Sequence, residues 1–171
     1  MTGHLLLIRH ARAAGQAPDA PLTPEGAAAA RLADALADGG ITRIVSSPWV
    51  RAVDTAQPLA RRLGLEIQTD ARLTKRVLSG RDLPYWRPAL RASFRLPELR
   101  LPGGESGTQA RRRVLAALEE ARDPAGVTAA FTHGNLLALA VGLGHAGWAG
   151  LRNPDVWRLE PGGGAVRVDL G

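Results

Sequence analysis

Short apolar runs alternate with amphipathic stretches along most of this chain, and the first run sets the pattern. Residues 5–8 are all apolar and lead directly into Arg9 and His10. A short, bounded apolar run is typical of a buried strand rather than a helix. In open α/β sheets, ligands bind at the carboxyl ends of the strands, so this strand would deliver a guanidinium and an imidazole to a binding edge. A strand that simply ends in two surface residues fits this stretch equally well.

The pattern continues as strand, helix, strand, helix and strand through residue 68. We predict a helix opened by residues 22–26 with Thr23 as its cap, a strand at 41–45, a helix capped by Ser47, and a strand at 65–68. Proline suits the first helical position, and Pro24 and Pro48 follow the two caps. Helices that alternate with strands indicate a largely parallel sheet covered on both faces.

The pattern breaks in the proline-rich segment 71–104. A long segment of this kind in a compact domain is often functional, so a lid and a structural excursion with a short helix at 87–94 are equally good interpretations. Beyond this segment we predict a helix that Ser106 caps and that runs to about residue 122, followed by a strand at 127–132 and a helix at 136–143. A turn-rich stretch at 144–152 then leads to a closing hairpin formed by 156–159 and 165–168.

Composition narrows the classes of function. The 171 residues are enough for a single domain, 1–171, and they contain no cysteine, which excludes disulfides and thiolate chemistry. No apolar run is long enough to span a membrane and no export signal is visible, so we expect a cytoplasmic location and no membrane partner. The net charge is +6. Because the arginines are dispersed and aromatic residues are few, we expect anionic small substrates rather than nucleic acid.

Charged and polar side chains recur where predicted strands end or helices begin. Arg9 and His10 follow the first strand, Arg51 lies in the helix after the second, and His133 follows the fourth. Parallel strands bring these loops to one edge of the sheet. Two guanidinium groups, two imidazoles and helix N-termini in one pocket describe a site for a dianion such as phosphate.

With these residues in place, nearly the whole chain resembles the histidine phosphatase superfamily, the phosphoglycerate-mutase-like proteins. The family's motifs stand here as Arg9-His10-Ala11, Leu22-Thr23-Pro24-Glu25-Gly26, Ser46-Ser47-Pro48-Trp49-Val50-Arg51-Ala52-Val53-Asp54-Thr55-Ala56, Gly104-Glu105-Ser106 and Thr132-His133-Gly134. Together with the strand count, the resemblance implies a three-layer α/β/α sandwich with a mostly parallel sheet of about six strands.

The resemblance also implies roles for the site residues. His10 would be the nucleophile, phosphorylated during turnover, and Arg9, Arg51 and His133 would bind the phosphoryl oxygens. We add Asn135, in the polar cluster after the fourth strand, as a phosphate-binding candidate. Arginine and histidine then supply the positive charge, so we expect no metal and no cofactor.

One departure from the family concerns the general acid. Family phosphatases usually carry a glutamate after the third strand, where this chain has Lys75. Glu105 is the best substitute, with Asp82 and Glu98 behind it. A carboxylate near a helix start is also favourable in itself, which gives Glu105 an alternative explanation.

Three functions therefore stay open. The favoured one is a phosphatase that hydrolyses phosphate monoesters of a small metabolite, ahead of a mutase. The alternatives are a protein phosphohistidine phosphatase that needs no acid, and a phospho-ligand binding or regulatory protein with weak catalysis. The substrate and the oligomeric state are left open. Arginines in the predicted lid hint at further anionic groups on the substrate, although we expect most of them to be solvated surface residues: Arg76, Arg81, Arg87, Arg91 and Arg95.

Overall fold

A computed structural model describes residues 3–24 and 27–171. Its strands are β1 (His4–Arg9), β2 (Ile41–Ser46), β3 (Ile67–Thr69), β4 (Val127–Thr132), β5 (Asp155–Leu159) and β6 (Ala165–Arg167). Its helices are α1 (Ala27–Leu36), α2 (Val50–Leu63), α3 (Trp86–Arg95), α4 (Gly107–Ala121), α5 (Gly134–Val141) and α6 (His145–Ala149), with a short 3₁₀ turn at Ala71–Leu73.

The strands form one sheet in the order β3-β2-β4-β1-β5-β6. The four strands from β3 to β1 run parallel, whereas β5 and β6 are antiparallel to their neighbours. The ends of β1, β4 and β2 are level with one another, because Arg9 pairs with Thr132 and Ser46 with Phe131. The loops that follow these three strands therefore start side by side.

Alternate residues of the central strands supply two separate cores. Leu6, Ile8 and Phe131 face α1 and α2, whereas Leu5 and Leu7 face α4 and α5. Side chains on a strand point alternately to opposite faces, so a strand buried on both sides has an uninterrupted apolar sequence. The predicted three-layer sandwich with its mostly parallel sheet is confirmed.

Several predicted boundaries move. α2 begins at Val50 with Trp49 as its N-cap residue, and the Ser47 hydroxyl lies within hydrogen-bond distance of His133 instead of capping the helix. α5 starts at Gly134, two residues earlier than expected, and the stretch predicted to contain only turns includes α6. The predicted opening of α1 falls partly on residues 25 and 26, which lie outside the described residues.

The segment 71–104 contains α3 where a short helix is predicted, and it lines one side of a pocket at the sheet edge. Its two ends meet at a pair of glycines. A Cβ on Gly103 would lie 2.6 Å from the Gly80 Cα, and Gly103 has a φ of +73°. Only glycine fits such a close approach without strain. No helix of the described residues is long and apolar enough to cross a membrane.

Candidate active site

The pocket has a volume of about 800 Å³ and opens at the carboxyl ends of β1, β2 and β4. Arg9, His10, Arg51, His133 and Asn135 all line it. The rings of His10 and His133 lie edge to face, with their centroids 5.2 Å apart. The structure thus brings together the residues that the sequence placed at three separate strand ends.

His10 is held in one orientation and one tautomer. Its Nδ1 lies 2.6 Å from the carbonyl oxygen of Ala11, which can only accept, so Nδ1 carries the hydrogen. The lone pair is then on Nε2, which accepts a hydrogen bond from Arg51 Nε at 3.2 Å. Asn153 fixes the backbone, because its amide donates to the His10 carbonyl at 3.0 Å. A lone pair on Nε2 that faces the pocket is what a nucleophilic imidazole needs.

The surroundings of His10 favour its neutral form. The pKa of its imidazole is lowered from 6.5 to about 4, mainly by burial; the positive charges of Arg51, Arg9 and Lys75 also lower it, and the hydrogen bond to Ala11 opposes the shift. The uncharged ring keeps its lone pair at neutral pH, because protonation would require a cation in a buried and positively charged site.

Arg9 reaches the pocket across the first residue of α5. Its NH1 group donates to the carbonyl of Leu151 at 3.2 Å, and its buried Nε has no partner among the described residues. A Cβ on Gly134 would lie 2.8 Å from the Arg9 Cζ. A side chain at this position would therefore displace the Arg9 guanidinium, and the glycine is not explained by any unusual backbone angle.

Arg51 lies in the first turn of α2 and is only 2% exposed. Its NH1 group donates to the Ala17 carbonyl at 2.9 Å, and its Cζ lies 4.6 Å from the centre of the Trp49 ring. Thr55 ties α2 to β1, since its hydroxyl accepts from the Ala11 amide at 2.9 Å and donates to the Arg51 carbonyl at 2.7 Å. These contacts fix the guanidinium beside His10 before any ligand binds.

His133 is the residue that precedes α5, and Ser47 fixes its ring. The Ser47 hydroxyl lies 2.8 Å from His133 Nε2, and it also accepts a hydrogen bond from the Trp49 amide. Burial, followed by the charges of His10 and Arg51, lowers the pKa of His133 from 6.5 to about 2. Its buried Nδ1 has no partner among the described residues, and neither has the Oδ1 of Asn135.

Glu105 does not join this cluster. Its carboxylate binds Arg113, with oxygen–nitrogen distances of 2.6 and 2.9 Å, and accepts from the Val77 amide at 3.1 Å. Burial raises the pKa of Glu105, but the bonds from Arg113 and Val77 outweigh it, so the net pKa is lowered. Glu105 is absent from the residues that line the pocket. This placement argues against the predicted role as general acid, because the group is away from the pocket and held as an anion.

The Gly-Glu-Ser motif instead anchors the segment 71–104. A Cβ on Gly104 would lie 2.6 Å from the carbonyl carbon of Leu78, Glu105 binds the amide of Val77, and Ser106 caps α4 in a reciprocal capping box with Gln109. Each residue of the motif thus has a structural reason to be there.

The other two candidates for the general acid, Glu98 and Asp82, differ in their position relative to the pocket. Glu98 is exposed and accepts a hydrogen bond from Thr108 at 2.5 Å, whereas Asp82 lines the pocket. Asp82 is the only carboxylate among the pocket residues in the described part of the chain. Lys75 also lines the pocket, with its Nζ 2.9 Å from Gln16 Oε1. Burial, with the charge of Arg51, lowers the pKa of Lys75.

Three residues that support the site were not singled out from the sequence. They are Trp49, which packs on both Arg51 and His133, Thr55, which bridges α2 to β1, and Asn153. The first two lie inside the Ser-Ser-Pro motif, so that motif could have indicated them. Asn153 comes from a distant loop and shows no local signal beyond preceding a proline.

Comparison with known proteins agrees with this geometry. The family model of the histidine phosphatase superfamily (branch 1) matches residues 5–168. The chain belongs to this superfamily. The superfamily relatives include a protein of Escherichia coli O1:K1 / APEC named probable phosphoglycerate mutase GpmB, which is 34% identical and aligns over 90% of this chain and 83% of its own length. The resemblance noted in the sequence is confirmed.

Other superfamily relatives match in part or by fold. An uncharacterised protein of Mycobacterium tuberculosis (strain ATCC 25618 / H37Rv) is 47% identical over 57 residues, and the match spans only 28% of that relative's length. The solved structure of mycobacterial glucosyl-3-phosphoglycerate phosphatase with inorganic phosphate has a TM-score of 0.73 at 25% identity, covering 98% of this chain and 96% of that one. The two of these proteins whose names give an activity are thus a probable mutase and a phosphatase.

The two buried imidazoles predict an acid-sensitive fold. We expect the free energy of unfolding to fall by roughly 2–4 kcal/mol between about pH 7.5 and about pH 5. In the unfolded chain both imidazoles take up protons near pH 6.5, whereas the folded pKa values are about 4 and about 2. Stability is therefore lost as the pH falls through 6.5 towards the folded values.

Urea unfolding at both pH values measures this change. We expect His10→Asn to reduce the fall by about half, because one of the two buried titrating groups is removed. His4→Asn is the matched control, since His4 is exposed at the start of β1. An equal fall in wild type and His10→Asn would contradict the prediction.

Proposed function

We propose that this protein is a phosphatase that hydrolyses phosphate monoesters of small metabolites through a phosphohistidine on His10. The observation that carries the proposal is the oriented Nε2 lone pair of His10, 3.2 Å from Arg51 Nε in a pocket that Arg9 also lines. The mycobacterial phosphatase that shares this fold is described in complex with inorganic phosphate, which supports a phosphate site here.

The reaction has two displacements. The Nε2 of His10 attacks phosphorus, the ester P–O bond breaks, and the leaving alkoxide takes a proton. A water molecule then attacks the phosphohistidine and gives a proton back to the group that protonated the alkoxide, the P–N bond breaks, and orthophosphate and neutral His10 are released. Both steps are phosphoryl transfers, which depend mainly on in-line positioning and on neutralising the charge of the equatorial oxygens.

The residues around His10 supply that neutralisation. Arg9 and Arg51 offer guanidinium donors, and the N-terminus of α5 adds its backbone dipole. We place the ring hydrogen of His133 on Nδ1. Ser47 Oγ accepts a hydrogen bond from the Trp49 amide and can donate its own hydrogen to His133 Nε2, so Nε2 is the acceptor and Nδ1 is the donor that faces a ligand. Asn135 contributes its side-chain amide. These fixed donors and charges make a metal ion unnecessary for this mechanism.

For the leaving group we assign Asp82 as the proton donor, in place of Glu105. Asp82 is the only carboxyl group among the described residues that line the pocket, and as the donor it has to carry its proton when the ester binds. Esters of simple alcohols need such a donor, because an alkoxide is a poor leaving group without a proton.

The two carboxylates make a matched pair of variants. We expect Asp82→Asn to lower kcat for an alkyl phosphate by about 10²-fold and to affect an aryl phosphate far less. Glu105→Gln is expected to destabilise the fold by about 1–2 kcal/mol with little change in kcat, because it weakens the ion pair with Arg113. Steady-state hydrolysis and urea unfolding of both variants measure these effects. If Glu105→Gln instead lost only its activity on the alkyl phosphate, with an unchanged free energy of unfolding, Glu105 and not Asp82 would be the proton donor.

Phosphohistidine in a protein is the second candidate substrate. The lysine at position 75, where related phosphatases have their acid, favours it, because an imidazole leaves phosphorus with little help from an acid. We would compare hydrolysis of p-nitrophenyl phosphate, glycerol 3-phosphate and a phosphohistidine peptide. Cleavage of glycerol 3-phosphate supports the metabolite phosphatase, whereas cleavage of only the other two favours phosphohistidine.

The intermediate can be tested directly. Wild type incubated with ³²P-labelled substrate and quenched in alkali should hold a label that is stable to base and lost in acid, as expected for a phosphohistidine. A substrate that is hydrolysed without such a label would overturn the proposed mechanism. If no ester is hydrolysed and phosphorylated ligands still bind, the protein is a phospho-ligand binding protein.

A further inference from the structure

Arg76, in the segment 71–104, is a buried arginine of the pocket that the proposed phosphoryl transfer does not use. It lines the pocket and is 4% exposed, so it is not among the majority of the segment's arginines that we expect to be solvated surface residues. A guanidinium stays charged at every physiological pH. A buried charge is costly unless it is paired and hydrogen-bonded, so the partners of Arg76 determine how it is stabilised.

Those partners leave one side of the guanidinium incompletely bonded. NH1 donates to the Ser93 hydroxyl at 2.9 Å, NH2 makes a 3.5 Å contact with the Glu105 carbonyl, and Nε has no partner among the described residues. The carboxylate of Glu105 is bound to Arg113 instead. Arg76 thus forms no ion pair with any described carboxylate. Nε and NH2 form the edge of the guanidinium that binds carboxylates and phosphates in a bidentate manner.

Arg9 shows the same arrangement in the proposed phosphoryl site. Its NH1 is anchored to the carbonyl of Leu151, and its buried Nε has no partner among the described residues. In both arginines NH1 is fixed by a neutral protein group and the buried Nε has no partner within the described chain, where the only bond that the protein makes to the oxyanion-binding edge of Arg76 is the long NH2 contact with the Glu105 carbonyl. Two separately anchored guanidinium groups in one pocket suit a ligand with two anionic groups.

The charges of the pocket agree with a second anion. Its described lining contains six cationic side chains and one carboxylate, Asp82; the cations are Arg9, Arg12, Arg51, Lys75, Arg76 and Arg81. A phosphoryl dianion bound by Arg9 and Arg51 leaves Lys75 and Arg76, consecutive in the chain, with a positive excess. Clustered like charges are unfavourable unless a counter-charge binds between them.

We propose that Arg76, flanked by Lys75, binds a second anionic group, a carboxylate or a second phosphate, on the alcohol part of the substrate. The assignment of the other anion to the transferred phosphoryl group rests on the proposed function. The substrate class is then a phosphate monoester that carries a further acidic group, rather than a neutral sugar or alcohol phosphate. Arg76 determines specificity and takes no part in the displacement at phosphorus.

Two matched substrate pairs test the proposal. In the first, 3-phosphoglycerate has a carboxylate where glycerol 3-phosphate has a CH₂OH group. In the second, fructose 1,6-bisphosphate has a phosphate where fructose 6-phosphate has a hydroxyl. We expect wild type to prefer the more acidic member of at least one pair by about tenfold or more in kcat/KM. The pair that shows the preference identifies the second group.

Variants assign the preference to Arg76. We expect Arg76→Met to lower the preference at least about tenfold, mainly through a higher KM for the acidic substrate. Arg76→Lys keeps the charge without the bidentate edge and should lose part of the preference. Lys75→Met provides a second test if Arg76→Met fails to fold. Arg95→Met is the matched control, because Arg95 is exposed on α3 and does not line the pocket.

The outcomes separate this inference from the proposed function. If wild type hydrolyses both members of each pair equally well, the second anion site is wrong. It is also wrong if folded Arg76→Met and Lys75→Met keep the wild-type preference. Either result leaves the phosphatase function standing. If no ester is hydrolysed, calorimetric binding of the same four compounds still tests the site. Tighter binding of the acidic members that depends on Arg76 would then support the site although the phosphatase function had failed.

Discussion

Replacing His10 with alanine is expected to lower kcat/KM for every phosphate ester by roughly 10⁴-fold or more. The variant removes the oriented lone pair on Nε2, which lies 3.2 Å from Arg51 Nε. The binding groups remain, so the affinity for inorganic phosphate should change much less than turnover. Steady-state hydrolysis and calorimetric titration with phosphate measure the two effects separately.

His4→Ala is the matched control for this prediction. It makes the same change at an exposed residue, at the end of β1 opposite to the end that His10 follows. We expect wild-type turnover in that variant. Substantial hydrolysis by pure His10→Ala enzyme would mean that another group attacks phosphorus, and it would overturn the role proposed for His10.

Gly134→Ala is expected to reduce turnover by roughly 10²–10³-fold, although it adds only one methyl group outside the reacting atoms. The new Cβ would lie 2.8 Å from Arg9 Cζ, so the guanidinium has to move. Since the end of an arginine side chain moves easily, we expect the loss mainly in kcat, with the free energy of unfolding changed by less than about 1 kcal/mol. Kinetics and urea unfolding together give this signature.

Gly144→Ala adds the same methyl group at the residue before α6, where a Cβ would meet nothing within 4 Å. We expect this variant to retain wild-type kinetics. The contrary result is a fall in activity of Gly134→Ala that is fully explained by a lower fraction of folded protein. The contact between Arg9 and Gly134 would then only stabilise the fold, and the position of the Arg9 guanidinium would not limit the reaction.

The segment 71–104 illustrates how one sequence feature can serve two purposes. Its Gly-Glu-Ser end anchors the segment through Val77 and Arg113, while Arg76 and Asp82 line the pocket from the same segment. The proposed chemistry therefore divides between a part built on strand ends, which transfers phosphate, and this segment, which selects the ester. That the segment moves as a lid remains a prediction.

The sequence by itself determined the order of the elements and the residues at the strand ends. Apolar runs such as 5–8 and 129–131 predict strands that are buried on both faces, because alternate side chains of a strand point to opposite sides. The polar residues that follow such strands in a parallel sheet must meet at one edge. For this reason His10, Arg9, Arg51 and His133 could be grouped before any coordinates were known.

Only the tertiary structure decided which charged side chains face the pocket away from those ends. Glu105 and Arg76 lie in stretches without a regular hydrophobic period, so their directions depend on contacts with Arg113 on α4 and Ser93 on α3. Local patterns fix the path of a strand or helix, but in a loop the direction of a side chain depends on which neighbouring element offers the hydrogen bond. Pairing with these two helices therefore took Glu105 away from the pocket and buried Arg76 beside it.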